Sequence, residues 1–518
     1  MKCSPTIEAK TDSVWAATQE MPRAKKLAQD VEADVCIVGA GIAGLSTGYL
    51  LTKAGKSVVI LDDGPLASGM TSVTTAHLSN VIDDRYYEIE SCHGEKGAFL
   101  AAESHTAAID RIEATVNELA IDCDFTRLDG YLFLAPGDTK ETLEKELAAA
   151  RRAGMPAELV PRCPLDYNTG PAIRFPNQGR FHPLKYLSAV TEAIKKGGGH
   201  IYTNSHADQV EGGKEAKVSV GQHNVRAGAI VVATNAPIND RVAIHTKQAP
   251  YMTYVLGARV PAGSVTDALY WDTLAYDYHY VRLQPMNGED AGSNGRGQYD
   301  LLIAGGEDHK SGQADDTAQR HSRLESWTRT RFPMIEDIEF IWGGQWMKTI
   351  DGLAFIGRNP LDAENVFVVT GDSGMGMTHG TIAGMLLTDL ILGKQNPWAT
   401  LYDPSRKPIR AAGAFAQENL NVARQYLDWV TPGEVRSLRD IEPECGAVLR
   451  RGLSKVAVYR DDKGKAHEMS AVCPHLGCIV HWNGAEKSWD CPCHGSRFDK
   501  LGKVINGPSN ADPSPAES

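Results

Sequence analysis

In ADVCIVGAGIAGLSTGYLLTKAGKSVVILDD (33–63), the apolar run VCIV leads into a glycine turn, then a stretch with Leu45, Tyr49 and Leu50 on one side, then SVVIL. That order predicts strand, tight turn, helix and strand, a parallel βαβ unit. Helix, glycine and strand recur in HPLKYLSAVTEAIKKGGGHIYTN (182–204), and AGAIVVATNAP (227–237) ends a buried strand in a turn. A third segment, ENVFVVTGDSGMGMTHGTIAGMLLTDLILG (364–393), again reads as strand, glycine-rich turn and helix. The three are far apart in sequence, so one nucleotide-type domain assembled from discontinuous pieces is expected, at about 33–85, 180–240 and 340–395. Helical AFLAAESHTAAIDRIEATVNELA (98–120) and strand-like YHYVRLQP (278–285) and YDLLIAGGED (299–308) predict a second lobe from about 86–179 and 241–339. The helical stretch 418–430 runs into TPGE (431–434), where proline and glycine mark a boundary. Beyond it, short strands with a turn at Asp461–Gly464 predict a small all-β module over 433–518, ending in a loose tail, NADPSPAES.

The 518 residues are enough for two or three domains, and 42% hydrophobic with 23% charged residues is average for a globular protein. The longest apolar stretches fall short of the roughly 20 residues a membrane span needs. The N-terminus has no apolar signal core, so a cytoplasmic location is expected. A formal charge of −12 disfavours nucleic acid as a partner. Cys3, Cys36, Cys92, Cys123, Cys163 and Cys445 are scattered and read as small apolar residues, whereas Cys473, Cys478, Cys491 and Cys493 crowd together and need a chemical reason.

In GAGIAG, Gly39, Gly41 and Gly44 have the spacing that permits a tight turn, close approach of the main chain to a pyrophosphate, and close helix–strand packing. Asp62 ends the next strand 18 residues after Gly44, where it can accept hydrogen bonds from ribose hydroxyls. A lone glycine triplet is often only a turn; strand, helix and acid together favour a dinucleotide. No second such motif occurs in a βαβ setting, so one dinucleotide site is expected. VCIVGAGIAGLS, ATNAP, and DGLAFIGRNP followed by VTGDSGMGMTHGTIAGMLLTDLILG make residues 13–410 resemble the D-amino-acid oxidase family of FAD-dependent oxidoreductases, which includes glycine oxidase and gamma-glutamylputrescine oxidase. The resemblance implies FAD, with Gly39, Gly41, Gly44 and Asp62 on its ADP half. Ser68 and Thr71 would approach the pyrophosphate, and Gly371, Asp372, Gly376, Met377 and Thr378 would run along the flavin and ribityl chain. Some relatives attach FAD through a histidine; that position is Val73 here, with His77 four residues on, so noncovalent FAD is expected.

CPHLGC (473–478) and CPCHGS (491–496) offer two thiolates and two imidazoles, a set that could also bind structural zinc. With GKVINGPS after them, residues 445–508 resemble the Rieske iron-sulfur domain. The resemblance implies a 2Fe-2S cluster held by Cys473, His475, Cys491 and His494. Imidazole ligation raises the potential of such clusters to about −150 to +300 mV. It also implies a disulfide between Cys478 and Cys493, two free buried thiols being the alternative, and makes Gly507 and Pro508 part of a third loop over the cluster. No site for a mononuclear iron is visible, so the module reads as a one-electron carrier.

The expected fold is therefore an α/β FAD-binding Rossmann-type domain with an α+β substrate lobe (1–432), followed by a small all-β Rieske domain (433–518). The expected activity is a dehydrogenase that takes hydride from the C–N bond of a small amine or amino acid and passes electrons singly to an external acceptor. Tyr280, Arg282, His309 and Gln345 are candidate pocket residues; the resemblance implies a carboxylate-binding or flavin-facing role for Arg282, a salt-bridged surface arginine being the alternative. Rival readings are an O2-using amine oxidase with a regulatory cluster, and a redox-sensing or electron-transfer protein.

Overall fold

The computed structural model describes residues 9–239, 244–274, 278–286, 298–407 and 409–516. A first sheet has the strand order Phe355–Arg358, Val366–Thr370, His223–Val232, Val31–Val38, Val58–Leu61 and His200–Tyr202, with two short strands, Gln209–Glu211 and Lys217–Val220, attached beside His223–Val232. The ladders joining Val366–Thr370 through to His200–Tyr202 are parallel. Strands buried on both faces need continuous apolar runs, and VVIL and VFVVT are buried throughout. Helices Ile42–Lys53, Pro183–Lys196 and Gly376–Ile391 help to cover the sheet and carry buried side chains into the main core.

The second sheet has nine strands, running from Asp337–Thr349 through Gln248–Pro261, Tyr299–Lys310, Tyr280–Met286, Leu269–Asp272, Thr126–Phe133 and Ala172–Arg180 to His77–Leu78, with Glu158–Val160 alongside Ala172–Arg180. Three assignments differ from the sequence reading, the first being His77–Leu78, which pairs with Ala172–Arg180 in this sheet although 33–85 reads as a nucleotide piece. Asp337–Thr349 pairs along its length with Gln248–Pro261, so residues 340–349 belong to this second sheet rather than to the nucleotide piece. The helix expected over 98–120 begins at Tyr86 and bends at Gly94, where φ is 73°.

The C-terminal module holds a three-stranded antiparallel sheet, Cys445–Arg451, Ser454–Arg460 and Ala466–Ser470, and a four-stranded one, His481–Asn483, Ser488–Asp490, Arg497–Asp499 and Val504–Asn506. The Asp461 carboxylate closes the predicted turn by accepting from the Lys463 and Lys465 amides at 3.1 and 2.8 Å. The tail expected to be loose is anchored as far as Pro515: Ser470 N donates to Ser514 O at 2.9 Å, and Met469 and Pro515 form a bridge. Cys36, Cys123 and Cys163 are buried free thiols, as their apolar reading requires, and Cys92 is partly exposed. Cys445 is buried but disulfide-bonded, a departure from that reading; Cys3 lies outside the described residues.

Candidate functional site

The first strand ends at Gly39, whose φ of 105° only glycine adopts freely, and a Cβ there would meet Ala233 O at 2.4 Å. A Cβ on Gly44 would come within 1.9 Å of Gly39 O, so the helix can start this close to the strand only with glycine at both positions. Gly41 precedes the helix, and the Ile42 amide donates to Thr71 Oγ1 at 3.1 Å. Asp62 accepts from the Ala40 and Gly64 amides at 2.7 and 2.9 Å; burial nevertheless raises its pKa to about 6.

Gly39, Gly41, Asp62, Ser68 and Thr71 line a cavity of about 500 Å³, together with Asp372, Gly376, Met377, Tyr280 and Gln345. The cradle would be filled by a side chain at Gly41, where a Cβ would approach Thr71 Oγ1 to 2.9 Å. Helix Gly376–Ile391 begins in the cavity wall, so its positive end favours negative charge there. Gly44, Gly371 and Thr378 are not in the lining: Gly44 packs helix on strand, Gly371 turns the chain at φ 73°, and Thr378 bonds His105 Nδ1 at 2.8 Å. Val73 and His77 both line the cavity, and His77 meets the Tyr280 ring edge-on at 5.6 Å.

The four pocket candidates have separate fates. Tyr280 faces the cavity with its hydroxyl 2.8 Å from Thr253 Oγ1. Arg282 lies outside the lining and is fully buried; its guanidinium donates to Ala76 O, Phe181 O and Gln284 Oε1 at 2.8, 3.1 and 2.6 Å. His309 also lies outside, with Nε2 3.0 Å from the Tyr254 hydroxyl, which in turn accepts from Asn483 of the C-terminal module at 3.4 Å. Gln345 lines the cavity and joins the second lobe to the C-terminal module: Nε2 donates to Gly495 O at 3.0 Å, and Oε1 accepts from Asn506 Nδ2 at 2.5 Å.

The two cysteine loops fold alike. Cys473 O accepts from Gly477 N at 2.9 Å and Cys491 O from Gly495 N at 3.2 Å, with both glycines at positive φ. The neighbouring Cys491 thiol holds Cys473 below the usual thiol range. The His475 and His494 rings lie 5.1 Å apart. Cys478 and Cys493 form a disulfide. Cys491 Sγ lies within 4.8 Å of both its sulfurs, but the bonded pair is not available as ligands. The remaining donors, two thiols and two imidazoles, fit a Rieske cluster.

Three contacts escaped the sequence reading. His245, on the flavoprotein side, packs against both candidate cluster histidines, at 4.9 and 5.8 Å between ring centroids. Tyr426 Oη and Trp429 Nε1 donate to Leu476 O and Gly477 O at 2.7 and 2.9 Å, so the linker covers the first cysteine loop. Asn506, Gly507, Ser509 and Asn510 of the C-terminal module line the dinucleotide cavity. None had a local signal, because each partner is remote in sequence.

The FAD dependent oxidoreductase (DAO) family model matches residues 34–390. The chain belongs to that family. Its C-terminal part, residues 429–515, matches the Rieske [2Fe-2S] domain, and its cofactors are FAD and a Rieske-type cluster. This FAD oxidoreductase is 31% identical over 503 residues to YhfW of Bacillus subtilis (strain 168), a Rieske 2Fe-2S protein by name, covering 96% of each chain. It is 27% identical to the gamma-glutamylputrescine oxidoreductase of Escherichia coli (strain K12), over 71% of this chain and 85% of that one. Glycine oxidase from Geobacillus kaustophilus shares the fold, with TM-score 0.60 at 18% identity over 73% of this chain and 99% of that one. Among the described residues no helix is long and apolar enough to cross a membrane.

Proposed function

We propose that this FAD oxidoreductase is a dehydrogenase of small amines or amino acids that sends electrons through its own Rieske cluster to an external acceptor. The substrate gives up two electrons and two protons in becoming an imine, and the acceptor receives the electrons one at a time. When bound, FAD supplies the hydride acceptor and the cluster supplies the one-electron carrier. Gly39, Gly41, Asp62, Ser68 and Thr71 would hold the dinucleotide, and Asp372, Gly376 and Met377 the flavin side. Cys473, His475, Cys491 and His494 would hold the cluster, braced by the Cys478–Cys493 disulfide. Noncovalent FAD is the reading, since valine occupies position 73.

One observation carries the relay: the Gln345 side chain lines the dinucleotide cavity and donates to the carbonyl of Gly495, the neighbour of His494. One amide therefore spans the wall between the two centres. Tyr280 shapes the cavity and excludes water, while the polar roles of Arg282 and His309 are satisfied elsewhere. The test is an anaerobic screen of small amines and amino acids against holoprotein. The reading expects one of them to bleach the flavin band and then reduce the cluster. Gln345→Leu should keep the bleaching and slow cluster reduction by about tenfold, since it strands a buried carbonyl and amide. Stoichiometric peroxide in air with an untouched cluster would overturn the relay.

A further inference from the structure

We propose that the substrate is a carboxylate-free amine with a second, cationic nitrogen, of the small aliphatic diamine class. This rests on the amine-oxidising reading above and narrows it. The cavity wall carries carboxylates. Asp83 lines it and accepts from the Tyr278 hydroxyl at 2.7 Å; a Cβ on neighbouring Gly374 would lie 2.1 Å from its Oδ2. Asp308, only 5% exposed, lines it too and accepts from Trp346 Nε1 at 3.2 Å.

A second, independent observation is aromatic. Tyr278 and Tyr280 lie 5.3 Å apart, and both line the cavity with Trp346. Carboxylates among aromatic faces attract an ammonium by charge and by the ring quadrupole, whereas a carboxylate brought into the same walls meets like charge at reduced dielectric. The nearby cations Lys348 and Arg85 lie behind the lining, where their charge favours the ionised Asp83 carboxylate. Lys348 pairs with Asp84 at 3.0 Å, and Arg85 donates to Asp272 O at 3.0 Å. Arg282, for which the family resemblance implied a carboxylate-binding or flavin-facing role, spends its guanidinium on main-chain carbonyls and Gln284. Among the described lining residues there is no lysine or arginine.

A diamine also suits the chemistry. Hydride leaves a carbon bearing a neutral amine, and a fixed ammonium at the other end favours that neutral form by like-charge repulsion. The reacting end R–CH2–NH2 would become R–CH=NH by giving up two electrons and two protons; FAD, when bound, would supply the hydride acceptor, and both protons would end in solvent. The two electrons then pass to the one-electron acceptor.

The test compares 1,4-diaminobutane with 4-aminobutanoate, glycine and proline on anaerobic holoprotein, followed by flavin absorbance. Diaminobutane should half-saturate at a concentration at least 100-fold lower than any of the carboxylates. Asp83→Asn and Asp308→Asn should each raise that concentration about tenfold or more, with FAD content unchanged. Equal or tighter response to an amino acid would overturn the substrate class while leaving the dehydrogenase reading intact. Spectral binding of diaminobutane, weakened by both variants but with no amine ever reducing the flavin, would support the cation site and sink the dehydrogenase reading. No response to diaminobutane, or variants without effect on it, would overturn the proposal.

Discussion

The His245 imidazole packs edge-on against the His475 imidazole at 4.9 Å between centroids, so a residue of the flavoprotein part covers the candidate cluster ligands of the C-terminal module. With the Gln345 bridge, this contact makes docking of the module specific rather than a loose tether. Replacing His245 by alanine leaves a gap at that interface and should weaken docking by about 1–2 kcal/mol. Hydrogen exchange of amides 473–478 and 491–496 should rise in the variant. Unchanged protection would mean that His245 contributes nothing to docking.

Gly44 is the closest approach in the dinucleotide turn, and its missing side chain is where helix meets strand. Gly44→Ala should destabilise the flavoprotein part by about 2–3 kcal/mol. It should be purified with little FAD, while the cluster's visible band persists. Full FAD occupancy and an unchanged melting temperature would refute the close-packing role.

The Cys478–Cys493 disulfide closes a span of 15 residues between the two cluster loops. Chain-entropy arguments give such a link about 3 kcal/mol. The double serine variant should lose its cluster at lower temperature than the parent, with the flavin-release transition unmoved. A shared drop of both transitions would show that the two parts unfold as one.

His481 bonds Asp428 Oδ2 at 3.0 Å and Glu434 Oε1 at 2.9 Å, clasping the linker to the module. Burial alone would lower its pKa, but the two carboxylates prevail and raise it to about 9. A folded value above the unfolded value of about 6.5 contributes stability that is full below about pH 6.5 and lost as pH rises through about 9. Discounted for partial exposure, the contribution is on the order of 2 kcal/mol. The melting temperature of the module should fall between pH 7 and 9.5, and His481→Gln should flatten that slope. Parallel slopes in the two proteins would contradict it.

The parts of this molecule legible in its sequence are those set by local rules. Gly39, Gly41 and Gly44 sit between an apolar strand and a helix, and the cysteine loops repeat their own spacing, so each motif is readable in a short window. Arg282 and His309 are different: a strand position alone does not say which face meets the cavity, and both turn toward buried partners instead. Residues 340–349 fall in the second sheet rather than the nucleotide piece for a similar reason, since an apolar run does not name the strand it will pair with. The interface residues His245, Gln345 and Asn506 acquire meaning only when distant segments meet. The acids Asp83 and Asp308 likewise become a set only once the second sheet closes over the turn at Gly374.

On the proposed relay, charge passes from the flavin to the cluster inside one polypeptide. Rapid-freeze paramagnetic resonance of anaerobic holoprotein, mixed with the amine that bleaches its flavin fastest, tests this most directly. A reduced-cluster signal should grow as flavin absorbance recovers, at a rate independent of protein concentration. A flavin that stays reduced beside an oxidised cluster, or a rate that rises with protein concentration, would contradict it.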